Sequence, residues 1–527
     1  MRSIEDISLE NVIQNKKYWN CQRPIEQEVM YFLLIDRFHD GKERQTISDK
    51  SFKKGFGDSD TLRKRYGGTI KGITENLIYI NEMGITSIWI SPFLKNSPES
   101  YHGYAIENFL KVDENWGTED DLVQLVEEAH LLNMRVFFDI VLNHTADNWS
   151  YIKKNPIYES GIHYTISKWR DEDSPIPIEL RNFNRYSRKG RIQNWEDMPE
   201  TWDGDIFELK DLILDDSDVG QKNLQLMTKI YSYWIARTDC DGFRIDTAKH
   251  IRPLVLNKFI KEIKSFAEKI NKNDFFVFNE IVAENDIIDL YEAGDGYLDF
   301  PFYFNFTRML TGEKNNDQPV ISVIAETALP IRFLDNHDQI GQIPKHRVGY
   351  GLNEKALLNI IKAFMLMPGI PCIYYGTEQG LQGIGYDDGS IRESMFDKES
   401  LLDLMDNRSV FYSVINQFTA LRKEWQMEKG EVSGCRVISR NQNATGIVAL
   451  LHEKNLFIRI IVYNLNGNAQ KVRIKLNNKL TRNSNLIVYL YIQEEMQRSE
   501  FKIENNEFDM YVDSFAFYVL EIREINS

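Results

Sequence analysis

The chain has 527 residues, 42% of them hydrophobic and 27% charged, with a formal net charge of -16 at pH 7. That length exceeds what one core usually fills, so two or three domains are expected, and the composition excludes a disordered chain. The negative charge disfavours nucleic acid and anionic membranes as partners and leaves open a neutral ligand such as a sugar.

Met1 to Asn20 mixes charged and apolar residues without an unbroken apolar core, and no run in the sequence is long enough to span a bilayer. A cytoplasmic protein with no membrane partner is therefore expected. Cys21, Cys240, Cys372 and Cys435 are far apart and in no metal-ligand spacing, which predicts reduced thiols. From about residue 28 to 425, short apolar runs alternate with longer amphipathic stretches, the pattern of a parallel α/β fold. Strands are predicted at 29–35, 85–90 and 134–141, with helices over 69–81 and from Thr118 to about Asn133. After Asn143-His144 the alternation stops for about sixty residues rich in Trp and Tyr, longer than an ordinary barrel connection. Most of these rings should pack a small subdomain, and a few should face a cleft, where sugar rings stack on aromatic surfaces. The alternation resumes with a helix over 219–237 and strands ending at Asp246 and Glu280, followed by units near 296–300, 331–334 and 369–375. Eight such units predict a (β/α)8 TIM barrel in the α/β class, carrying a small inserted domain after strand 3. Beyond about Gln426 the strands alternate with turns and lack helices, as in 459–463 followed by a turn at 464–468 and a strand at 471–475. Antiparallel hairpins in a C-terminal β-sandwich fit best. The expected domains are 1–144 with 208–425 for the barrel, 145–207 for the insert and 426–527 for the sandwich.

The most informative stretch is Gly242-Phe243-Arg244-Ile245-Asp246-Thr247-Ala248-Lys249-His250, where an apolar run closes on an Arg and an Asp two residues apart. On a strand these share a face, and a guanidinium beside a carboxylate favours its ionised form, as a nucleophile requires. The next strand, Phe275 to Glu280, closes on a second carboxylate. Carboxylates on adjacent strand ends suggest glycoside hydrolysis. Asp139 to His144 and Phe333 to Asp338 place further polar groups just past apolar strands, where barrel enzymes assemble their sites.

With these motifs the chain resembles an α-amylase-type enzyme of glycoside hydrolase family 13 over nearly its whole length. Tyr101-His102-Gly103-Tyr104, Asn115-Trp116-Gly117-Thr118 and Gly369 to Glu378 also match family segments. The resemblance implies a barrel, a domain inserted after the third strand and a C-terminal sandwich. It implies a retaining enzyme acting on α-glucosidic bonds of an oligosaccharide or polysaccharide, with Asp246 as nucleophile, Glu280 as general acid/base and Asp338 stabilising the transition state. Tyr104, His144 and His337 match residues around the sugar at the cleaved bond, Lys249 and His250 match the acceptor side, and Arg244 accompanies the nucleophile. Asp139 is expected to partner the arginine. The chemistry needs no cofactor. A structural calcium between barrel and insert would use Asn143 and Asp211, but Lys210 stands where amylases have a neutral residue, and a fixed cation beside a divalent metal is unfavourable. The calcium question stays open at this level, as do the oligomeric state and whether water, sugar or phosphate resolves the intermediate. A transglycosylase or sugar phosphorylase of the same family is thus the alternative. A non-catalytic sugar-binding relative fits less well, because all three carboxylates are present, and a metal-dependent barrel hydrolase is disfavoured by the lack of paired histidines near a strand end.

Overall fold

The computed structural model describes residues 1–48, 52–58, 60–283, 294–310, 328–428, 431–434, 436–439, 447–454, 457–464, 467–475, 486–492, 495–501, 507–514 and 516–523. Its centre is a closed barrel of eight strands: β1 Met30–Leu33, β2 Ser87–Ile90, β3 Arg135–Ile140, β4 Gly242–Ile245, β5 Phe276–Asn279, β6 Gly296–Leu298, β7 Leu329–Phe333 and β8 Ile370–Tyr374. Each pairs in parallel with its sequence neighbours and β8 closes on β1. All eight predicted strands are present, including β6, which keeps only three residues. The strands are buried on both faces, which is why they read as unbroken apolar runs. At the start of β4 the fold demands Gly242, since a Cβ there would lie 2.0 Å from the carbonyl oxygen of Phe276 on the adjacent strand.

The helix Glu119–Leu131 starts at a capping box in which the Thr118 hydroxyl accepts from Asp121 N and the Asp121 carboxylate accepts from Thr118 N, and it buries Leu122, Leu125, Val126 and Ala129. Asp218–Thr238 is capped by the Ser217 hydroxyl and ends at Asp239 in a left-handed conformation, which reverses the chain into β4. The helix expected over 69–81 is two short ones, Ile70–Glu75 and Leu77–Glu82. The Asn76 amide donates to Gly72 O, and its backbone N–H is drawn to Ile73 O in the tight turn that divides them.

After β3 the chain forms a two-residue strand, His144–Thr145, paired antiparallel with Lys210–Asp211. Between them lies a hairpin of Trp149–Tyr151 and Ile166–Trp169, followed by short helical turns. Trp149 and Tyr186 are fully buried and Trp169 stacks on Phe183 with centroids 4.3 Å apart, and these rings are continuous with the apolar core of the barrel.

The C-terminal strands make a six-stranded and a three-stranded antiparallel sheet. One expectation is corrected here. The strands around 459–463 and 471–475 are not a hairpin: Phe457–Asn464 pairs with Ile447–Lys454 and Phe517–Arg523, whereas Gln470–Lys475 pairs with Arg436–Ser439 and Glu507–Val512 in the other sheet. The two strands lie in different sheets, and residues 465–466 of the expected turn lie outside the described set, as does Cys435. Cys21, Cys240 and Cys372 are free and buried. Among the described residues no helix is long and apolar enough to cross a membrane.

Candidate active site

The register of the barrel brings the strand-end groups together. Asp139 on β3 lies level with Arg244 on β4, and Ile245 lies level with Asn279 on β5. The ladder runs one residue beyond each strand: Asp246 N donates to Ile140 O and Glu280 N to Ile245 O, at 2.9 and 3.0 Å. Both carboxylates therefore stand on rigid backbone. The buried Arg244 guanidinium binds all of them, with Nη1 2.8 Å from Asp139 Oδ1 and 2.7 Å from Asp246 Oδ1, and Nη2 2.6 Å from Glu280 Oε1. Thr247, which follows Asp246, has φ +49°, a strained setting for a β-branched residue, and this turn directs its N–H to Glu280 Oε2 at 2.8 Å.

One arginine beside three buried carboxylates leaves negative charge in excess, so a proton is held among them. Burial raises Glu280 first, the charges of Asp246 and Asp338 add to it, and its carboxyl is pushed up to about 8 against the pull of Arg244. Asp246 is also raised by burial. The expectation that its arginine sets it low is thus corrected, because desolvation outweighs the opposing Arg244 charge. Burial pushes Asp139 up to about 7. Yet all the groups found bonded to Asp139 donate: Arg244, the Tyr104 hydroxyl at 2.9 Å and the Trp89 indole at 3.1 Å. Three side-chain donors surround Asp139, against Arg244 and the Thr247 N–H for Glu280, and Glu280 is pushed to the higher value of the two, which makes it the better holder of the proton.

Asp338 sits past β7 in a turn where Asn336 Oδ1 accepts from Asp338 N and Gln339 N. It lines the same cleft of about 670 Å³ as Tyr104, His144, Asp246, Lys249, His250, Glu280 and His337. Tyr104 stacks on His337, with centroids 5.3 Å apart and planes 15° apart. His144 Nε2 is 3.2 Å from Tyr104 O, and His250 Nδ1 is 2.9 Å from Thr201 O. Burial pushes His144 and His250 down to about 4 and His337 well below its usual value, so these rings are neutral at pH 7. Lys249 Nζ pairs with Glu196 of the insert at 2.6 Å.

Comparison with known proteins shows the family of the chain. The family model for the alpha-amylase catalytic domain matches residues 32–443. The chain belongs to the alpha-amylase family. An alpha-amylase of Streptomyces lividans is 31% identical over 63% of this chain and 42% of its own length, and a cyclomaltodextrin glucanotransferase of Klebsiella oxytoca is 27% identical over 75% and 65%. The chain thus spans less than two thirds of these relatives. Among solved structures, an alpha-amylase from Geobacillus thermoleovorans complexed with acarbose superimposes with a TM-score of 0.68 at 25% identity, covering 95% of this chain and all of that one.

Within this amylase-family chain, Asn143 and Asp211 lie where barrel meets insert. Leu212 N donates to Asn143 O, and Asp211 pairs with His144. Among the described residues the Asp211 carboxylate is buried with the Ser187 hydroxyl beside it but no well-formed hydrogen bond to either oxygen, and the Asn143 amide nitrogen is buried without a partner. Burial raises Asp211 well above the usual carboxylate range, with Ser187 giving the largest offset. An uncompensated carboxylate of this kind suits a cation, although among the described residues no three His, Cys, Asp or Glu side chains gather as ligands. Lys210 does not stand in the way. Adjacent residues of a strand point to opposite faces. The Lys210 ammonium lies 2.9 Å from Asp147 Oδ1 and about 5 Å from the Trp149 and Tyr151 ring centroids, at 5.0 and 5.3 Å. Its charge is spent inside the insert, which removes the objection to a metal at Asp211.

Sequence reasoning missed Arg392, Lys345 and Asp388, which line the cleft on loops after β7 and β8. It also missed Phe207, 64% exposed with φ +54°, whose ring lies 5.5 Å from Trp195 at the wall nearest His250. Only a surplus of aromatics in the insert hinted at that pair.

Proposed function

We propose that the chain is a retaining glycoside hydrolase acting on α-glucosidic bonds of α-1,4-glucans or maltooligosaccharides. The observation that carries the reading is Arg244 clamped between Asp246 and Glu280 on neighbouring strand ends, with Glu280 the group that keeps a proton at neutral pH. Glu280 donates that proton to the leaving oxygen as Asp246 Oδ attacks the anomeric carbon, giving a covalent glycosyl-enzyme. Glu280, now ionised, takes a proton from water, which displaces Asp246. Asp338 faces the positive charge that grows on the sugar. Tyr104, His144 and His337 surround that sugar, with neutral imidazoles suited to its hydroxyls, and Lys249 and His250 stand toward the acceptor. No cofactor enters the chemistry. A calcium ion, if held by Asn143 and Asp211, would join barrel to insert by neutralising Asp211. The buried free cysteines are compatible with the cytoplasmic location that belongs to this proposal.

A second reading, transfer to a sugar acceptor, is favoured by one observation: Trp195 and Phe207 offer exposed faces beside His250, where an acceptor ring would stack. One experiment decides between them. Maltooligosaccharides are incubated with and without phosphate, and the products are followed by NMR. Hydrolysis with retention gives α-anomeric reducing sugars first and no lengthened chains. Longer oligosaccharides would establish transfer, a sugar phosphate would establish phosphorolysis, and a β-anomeric first product would reject retention. Glu280→Gln and Asp246→Asn should each lose activity by several powers of ten while still binding substrate, and full activity in either would reject the assignment.

A further inference from the structure

Arg392 makes contacts that the proposed chemistry does not use. It is 4% exposed and follows the short helical turn Asp388–Ile391, which is capped by the Asp387 side chain and held at its far end by the Tyr374 hydroxyl on Ile391 O. Its guanidinium engages the segment carrying the third carboxylate at two places. Nε donates to His337 O at 2.7 Å, and Nη2 donates to Asp338 Oδ1 at 2.7 Å. Nη1 reaches the Tyr101 hydroxyl at 3.2 Å, and Asp388 Oδ2 lies 3.4 Å from Nη2. Lys345 completes the arrangement, donating to Asp338 O at 2.5 Å while pairing with Asp388.

We propose that Arg392 is the positioning residue of Asp338, fixing its backbone and its carboxylate with one planar fork. This rests on the reading of Asp338 as the carboxylate that faces the sugar. The geometry requires a guanidinium, because an ammonium is a point charge and does not present two fixed parallel donors. It is needed because Asp338 is the loosest of the three acids: its side chain is 29% exposed, against 8% for Asp246 and 7% for Glu280, and it stands on a turn beyond the strand rather than on the ladder. Among the described residues, Asp338 Oδ2 is approached by His337 Nε2, at 3.4 Å and neutral. Glu280 feels this pair through space, facing Arg244, Asp246 and Asp338, while Asp338 faces Arg392, Lys345, His337 and His102. Removing the Arg392 charge takes away the cation bound to the Asp338 carboxylate, which favours the protonated form of Glu280.

The test is a double-mutant cycle with pH profiles on the full chain. Arg392→Ala should lower kcat by about 100-fold, the scale of a misplaced catalytic group, with KM changed less than about threefold. The alkaline limb of its kcat/KM profile should move to higher pH. Arg392→Lys should keep the limb in place, since the charge remains, yet lose part of kcat, since the fork is gone. This second variant carries the test if Arg392→Ala does not fold. In an Asp338→Asn background Arg392→Ala should add almost nothing. A rise in KM at unchanged kcat, an unmoved limb in folded Arg392→Ala, or a full additional loss in the Asp338→Asn background would each overturn the proposal. Wild-type activity in Asp338→Asn alone would instead overturn the functional reading of Asp338.

Discussion

Glu280→Gln should make the protein more stable, and increasingly so as pH rises. In the unfolded chain a glutamate titrates near 4.5, whereas burial and the neighbouring Asp246 and Asp338 push Glu280 up to about 8 in the folded chain. Below about pH 4.5 both states hold the proton and this group contributes no pH dependence. Between about 4.5 and 8 the unfolded chain gives up its proton and the folded chain keeps it, so stability is lost at about 1.4 kcal/mol per pH unit. Above about 8 both are ionised and the loss levels off. From pH 5 to pH 8 the upper bound is about 4 kcal/mol, reduced because Asp139, Asp246 and Glu280 share Arg244 and titrate together. The glutamine is neutral throughout and its carbonyl can still accept from Thr247 N. For a chain of this length about 1 kcal/mol moves the melting temperature by roughly 1 °C. Scanning calorimetry of both proteins at one scan rate, at half-unit steps from pH 5 to 9, should show the difference growing by roughly 2–4 °C and flattening above pH 8. A difference that stays constant or shrinks would refute the placement of the proton on Glu280.

The same proton sets the rate profile: kcat/KM should fall on the alkaline side with a midpoint near 8, as Glu280 loses its proton, and on the acid side as Asp246 gains one above its ordinary value of 3.8. Initial-rate measurements from pH 4 to 10 check this, and an alkaline midpoint below about 6 would contradict it. If Asn143 and Asp211 hold calcium, a chelator should lower the melting temperature by linkage while leaving initial rates at low temperature almost unchanged. A prompt, calcium-reversible loss of rate in a protein that stays folded would oppose that view. Lys210→Met should cost stability because it removes the cation facing the fully buried Asp205, while Asp147 keeps Arg170. Calorimetry showing no loss would remove that role.

The barrel was legible because parallel strands covered on both faces appear as short continuous apolar runs, and two of those runs, β4 and β5, are followed directly by a carboxylate that lines the cleft. Asp246 and Glu280 were found in this way. Arg392 was not, since it sits 54 positions beyond Asp338 on an irregular loop, and it is the pairing of β7 with β8 that sets the two loops side by side. Pairing in the C-terminal sheets was equally hidden. A period of two tells which side of a strand is buried but not which strand lies beside it, so consecutive strands passed for a hairpin. In the insert the aromatics announced a core, yet Trp195 and Phe207 differ from Trp149 only in what the fold packs against them.

The two-residue ladder joining His144–Thr145 to Lys210–Asp211 ties the mouth of the barrel to the inserted segment. That segment supplies Trp195, Glu196, Phe207 and Glu208 to one wall of the cleft. If the ladder opens, this wall and the backbone under His144 loosen together while the barrel strands remain paired. Free energies of opening differ from region to region in a large protein, and the smallest governs the function of whatever it contains. Activity is therefore a more sensitive thermometer of this molecule than its secondary structure, and the amides of 144–145 and 210–211 are where hydrogen exchange should first record the approach of inactivation.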